Sequence, residues 1–176
     1  DIIYFVESRN AELNQSANSR IAPAKLTSQH LVALNRVSGE KLWEKPVDFS
    51  KCENMLYLIH AEGTLVASGS DSSKKYHIYA YDVSSPALRF GTEKPEVPEL
   101  WRKTPTVSGS EEDAEREKRQ SHHGGHLQHP LVVKQTLYSD WRAFDLRSGD
   151  RKKNITVPER RGCGNMAASN HSMFYR

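Results

Sequence analysis

Cysteine is almost missing from this chain: Cys52 and Cys163 are the only two among 176 residues. Two thiols cannot form the dense framework of a small disulfide-stabilised domain. On count alone they fit a disulfide, free thiols or metal ligands. Long apolar runs are missing too, and no stretch approaches the roughly 20 residues that a transmembrane helix needs, so no transmembrane segment is expected. A surplus of one charge sign is also absent, with 25 Lys and Arg against 22 Asp and Glu. That balance argues against nucleic acid or an anionic membrane as partner. There is no GxSxG, P-loop, GxGxxG, HExxH or EF-hand spacing, and no Cys-x-x-Cys-His haem attachment. No signal-peptide architecture opens the chain; "DIIYFVESRN" and the closing "NHSMFYR" both read as strands, so a segment cut from a longer protein is expected.

What is present is alternation of apolar and polar residues, repeated. "HLVALNRVSGEKLWEKPV" from His30 is echoed by "HIYAYDVSSPALRF" from His77 and "WRAFDLRSGDRKKNI" from Trp141. Each begins as a strand of period 2, ends it on Asn or Asp, and turns through Ser. The Asn/Asp-x-x-Ser-Gly turn supplies a side-chain acceptor and a residue that tolerates positive φ. Aligned on these turns, Ile3, Leu65, Leu137 and Met173 share the second strand of a unit, and Ala33, Ala80 and Ala143 the third. Trp43 and Trp101 share the fourth. A four-stranded unit has two apolar faces and cannot bury them alone, so neighbouring units must cover them. Small Ala would let the next sheet approach, and Trp would fill the joint.

The predicted fold is therefore all-β: a β-propeller of four-stranded antiparallel blades, of which about three are present as an open fragment. Blade 1 is expected over about 1–50 with an inserted loop at 9–29, and blade 2 over about 51–105. A charged insertion, 106–121, reads as a short surface helix capped by Ser110. Blade 3 follows over about 122–160, and a fourth blade starts at 161–176. The spacing in "LVALNRVSGEKLW" resembles the repeat of the pyrroloquinoline-quinone-type (quinoprotein-like) propellers, close to L-Y-A-L-D-x-x-T-G-x-x-x-W. That resemblance implies the propeller fold, an exported or periplasmic setting, and the remaining blades of a parent propeller as partners. It also admits pyrroloquinoline quinone as cofactor, although the adjacent Cys-Cys pair of many quinone dehydrogenases is absent.

Two groups of residues have the chemistry of ligands. His122, His123, His126 and His129 fall within "SHHGGHLQHP", where glycines let the backbone bend several imidazoles toward one centre. "CENM" at Cys52 and "CGNM" at Cys163 each lead into the first strand of a unit, and "HLQH" takes that place between them. Cys52, His126 and Cys163 would then face a common channel as copper or zinc ligands. The plainer alternative is a polar loop and two thiols packed between blades. Arg142 and Arg161 are weaker candidates for holding an anion or a carboxylate-bearing cofactor. The leading expectation is a binding or scaffold module with a protein or small-molecule ligand at the channel mouth. The runner-up is a segment of a quinone- or metal-dependent oxidoreductase.

Overall fold

A computed structural model describes residues 2–11, 28–53, 55–71, 75–90, 95–104, 129–139, 142–155, 167–169 and 172–174. The fold is all-β and antiparallel. Sheet 1 holds β1 (Ile2–Ser8), β2 (Gln29–Asn35) and β3 (Lys41–Val47), in that order. Sheet 2 holds β4 (Met55–Ala61), β5 (Thr64–Ser70) and β6 (Tyr76–Asp82), then, after a one-turn helix α1 (Ala87–Phe90), β7 (Glu99–Lys103). Sheet 3 is β8 (Leu131–Val133), β9 (Thr136–Ser139) and β10 (Arg142–Asp145); sheet 4 is the hairpin β11 (Ala167–Ala168) and β12 (Met173–Phe174). Among the described residues the fourth strand expected in sheet 3 is a single bridge, Arg151 to Phe144. Among the described residues the sheets do not close into a ring. The expected surface helix at 110–119 lies outside the described residues.

Sheet 2 lies between sheets 1 and 3, and its sequence reflects that position. β5, "TLVASGS", is buried at every residue, because both of its faces are covered. Leu65 and Ala67 join Leu31, Ala33 and Trp43 in the cluster toward sheet 1. Val66, one residue out of phase, joins Leu137, Phe144 and Leu146 in the cluster toward sheet 3. Pro46, which cannot donate to a ladder, is confined to the edge strand β3.

The repeat visible in the sequence is repeated in bond detail. Ala33 pairs with Trp43 and Ala80 with Trp101, and the register shifts immediately after each Ala. The turn at Asn35 has its Oδ1 accepting from the amides of Val37 and Ser38 at 2.8 and 3.1 Å. Asp145 Oδ1 accepts from Arg147 and Ser148, both at 3.0 Å. In both turns the glycine amide returns to the Asn or Asp carbonyl at 2.9 Å, and the glycine sits at positive φ, +74° at Gly39 and +72° at Gly149. The middle copy departs. Asp82 accepts from the Ser84 amide at 2.9 Å, but no glycine follows, and Pro86 leads the chain into α1 instead of a hairpin. The Ser-Ser-Pro start followed by "ALRF" favours a helical turn.

Gly39 and Gly149 provide an internal control. A Cβ on Gly39 meets nothing within 4 Å, whereas one on Gly149 would lie 2.6 Å from Trp101 Cδ2. Gly39→Ala is expected to cost about 1 kcal/mol from backbone strain alone. Gly149→Ala adds a clash with a buried ring and is expected to cost about 2–4 kcal/mol. Urea denaturation of both variants checks this, and equal costs would mean that the ring does not rest on Gly149.

Candidate functional site

The two joints that flank sheet 2 start from the same parts and end differently. At the joint with sheet 3, Trp101 projects from β7 over the Asp145 turn, and its indole N–H donates to the Leu146 carbonyl at 3.1 Å. Lys103 Nζ donates to the Gly149 carbonyl. Arg147 reaches back to Asp82 at 2.6 Å and to Thr64 Oγ1 at 3.4 Å. At the joint with sheet 1, Trp43 is as deeply buried, 4% exposed, but its indole N–H has no acceptor among the described residues. The turn that should receive it has become α1.

A cleft of about 620 Å³ stands at this second joint, lined by Tyr4, Asn35 and Leu42 from sheet 1 and by His60, Arg89 and Phe90 opposite. The geometry follows from the strands. Ile2, Tyr4 and Val6 alternate with residues on the other face of β1, and His60 ends the face of β4 that carries Leu56 and Leu58. The Tyr4 and His60 rings come within 5.1 Å of each other. Burial pushes the Tyr4 hydroxyl up from its ordinary pKa, with Arg89 partly opposing. Partial burial, and then the nearby Arg89 charge, holds the His60 imidazole below its ordinary value. Both rings are therefore neutral at neutral pH, and Arg89 carries the charge of the cleft. Sequence reasoning missed this site. Its one sequence signal is the lost glycine and the Pro86 in the second copy of the repeat.

Of the residues singled out in the sequence, His122, His123, His126, Arg161 and Cys163 lie outside the described residues. Cys52 is a free buried thiol packed against Gly69, where an added Cβ would come within 2.3 Å of its own Cβ. Burial pushes its pKa up to about 12, with Asp48 and Asp71 adding to the effect. The His129 ring packs at a tilt against Tyr57 of β4, centroids 4.8 Å apart, and its Nδ1 lies 2.8 Å from the Pro130 carbonyl. Tyr57 pairs with Ser68, while Cys52 sits against Gly69, so the structure puts Cys52 and His129 on opposite faces of sheet 2. Arg142 is buried at the start of β10, 4% exposed. No group of three or more His, Cys, Asp or Glu able to hold a metal occurs among the described residues.

One polar chain was not foreseen. Asp71 Oδ2 meets His77 Nε2 at 3.0 Å, and His77 Nδ1 meets Thr104 Oγ1 at 3.0 Å. Carboxylate, imidazole and hydroxyl in series can orient a nucleophile, but hydrolysis also needs a substrate cavity and an oxyanion donor. The cleft opens beyond the far end of β6 at Val83, about 20 Å along the strand from His77. The chain instead ties the ends of β5, β6 and β7 together.

No family model matches this chain, and no curated protein matches it. Among solved structures, a europium-containing methanol dehydrogenase is similar with a TM-score of 0.38 and 21% identity over 70% of this chain. The chain spans 20% of that enzyme's length. A likeness of that size assigns neither family nor activity.

The joint between sheets 1 and 2 has a pH signature. Burial holds Cys52 and Tyr79 up at about 12, and Tyr81 higher still, against ordinary values of 9 for the thiol and 10 for the phenols. The unfolded chain releases these protons first. Their contribution to stability is complete below about pH 9 and is lost as pH rises through the folded values. The urea midpoint is expected to fall between pH 8 and pH 10.5; an unchanged midpoint would mean that these groups are solvated. In a Cys163→Ser background, Cys52 is expected to resist Ellman's reagent at pH 8 until the chain is unfolded.

Proposed function

We propose that this chain is a run of consecutive blades of a β-propeller, with the blade boundaries expected from the sequence, and that it acts as a binding module. The observation that carries the propeller reading is the order of the inner edges. β8 touches β4 on one side and β11 on the other, and these are the first strands of three successive sheets. Contact along like edges is what blades fanned around an axis would show, and it supports this reading. The Trp101 joint, with Trp43 at the matching position of sheet 1, supports the same reading. The remaining blades of a parent propeller are then the first partners of this chain. An exported or periplasmic setting belongs to this proposal through the resemblance of the repeat.

Binding is favoured because the interrupted joint leaves a walled cleft rather than a void filled by the next turn. Clefts of roughly 300–1,000 Å³ with mixed apolar and polar walls are the usual form of small-molecule sites. Two measurements test the proposal. Equilibrium uptake of pyrroloquinoline quinone, copper and zinc is expected to show no stoichiometric retention. Tight one-to-one uptake of the quinone that is indifferent to Arg89→Gln, or of a metal lost in His126→Ala/His129→Ala, would replace the binding module with an oxidoreductase segment. Sedimentation of the isolated chain is expected to show association, because a fan of blades leaves sheet faces uncovered. Ile3 and Phe174 already stand 47% and 60% exposed. A compact monomer stable at high concentration would contradict the fan.

A further inference from the structure

We propose that the cleft between the first two sheets binds a small anion with an apolar or aromatic body, an aromatic carboxylate being the simplest case, with its charged head on Arg89. The inference rests on the binding-module reading and names the class of ligand for it.

Charge is the first argument. None of the described residues that line the cleft is acidic, and Arg89 is the cation among them. The other well-placed arginines are committed: Arg9 to Glu44 at 2.6 Å, Arg102 to Glu99 at 2.9 Å, and Arg147 to Asp82 at 2.6 Å. Arg89 pairs with no carboxylate among the described residues. Its field is nevertheless felt inside the cleft, since it acts on both Tyr4 and His60. A guanidinium beside neutral walls selects a planar anion that takes two parallel hydrogen bonds.

The walls are the second argument. The tilted Tyr4 and His60 rings and Phe90, 79% exposed, offer flat apolar surface around that charge. Asn35 and the two ring edges add polar atoms suited to orienting a ligand. The origin of the space points the same way. Trp101 finishes its joint on a carbonyl of the following turn, while Trp43, on the same face of sheet 1 as Tyr4 and Asn35, has a buried donor and no acceptor among the described residues. The second copy of the repeat has given up a joint and placed a helix that carries Arg89 over the gap.

The test is calorimetric titration of the full chain with 2-naphthoate and with its neutral counterpart 2-naphthamide. Naphthoate is expected to bind one-to-one, at least about tenfold tighter than naphthamide. Arg89→Gln is expected to lower naphthoate to the level of naphthamide while leaving naphthamide and the thermal unfolding temperature unchanged. Phe90→Ala is expected to weaken both ligands together. Equal binding of the two ligands, or naphthoate binding indifferent to Arg89→Gln, would overturn the anion assignment and leave the binding module standing. If neither ligand binds at millimolar concentration, the cleft is no site for this class, and the binding reading loses its support here as well.

Discussion

The fold turns on one contact, the Trp101 indole laid against Gly149 with its N–H on the Leu146 carbonyl. That contact sets what the neighbouring residues must be. Gly149 must lack a side chain, both for its positive φ and for the ring that covers it. Asp145 must hold the turn rigid by accepting hydrogen bonds from two backbone amides, or the carbonyl would not stand where the indole meets it. Ala80, opposite Trp101 in the register, must be small so that the ring can lie over the sheet. Around this dock, Lys103 and Arg147 add bonds from one sheet to the next. Those exposed charges contribute little each, on the order of 1 kcal/mol or less, and serve mainly to fix the angle at which the sheets meet. Burial of the aromatic ring supplies most of the energy.

The same constraint explains the cleft. At the first joint Trp43 and Ala33 are in place, but the turn from Asp82 has no glycine and cannot curl beneath an indole. Packing is then carried by Phe49, Tyr79 and Tyr81, whose edge-to-face rings fill one end of the interface. The other end stays open beneath α1. One substitution pattern in a repeat thus converts a structural dock into a walled space with a cation at its rim.

Much of the fold was legible because a repeat leaves three readings of the same rule. Period-2 alternation located the strands, the Asn/Asp-x-x-Ser-Gly pattern located the turns, and the recurring Ala and Trp indicated which residues cross from sheet to sheet. Pro86 marked the interruption but did not reveal that α1 would carry Arg89 toward Tyr4 and His60. Those three come from β1, β4 and α1, and no local pattern joins them; only the stacking of sheet 1 on sheet 2 does. The Asp71–His77–Thr104 chain was illegible for the same reason. The match of Cys52 to Cys163 suggested a shared channel; of the two the structure describes Cys52, a buried thiol against Gly69 whose pKa burial raises.

The most direct test of this account is the environment of the two indole N–H protons in the full chain, read by nuclear magnetic resonance. The account requires cross-peaks from the Trp101 ring to the Gly149 α-protons. It also requires the Trp101 indole proton to shift downfield and exchange slowly, as a hydrogen-bonded donor, while the Trp43 indole proton lacks that downfield shift. Absence of the Trp101–Gly149 cross-peaks, or two indole protons of the same character, would contradict the dock and with it the stacking of the sheets.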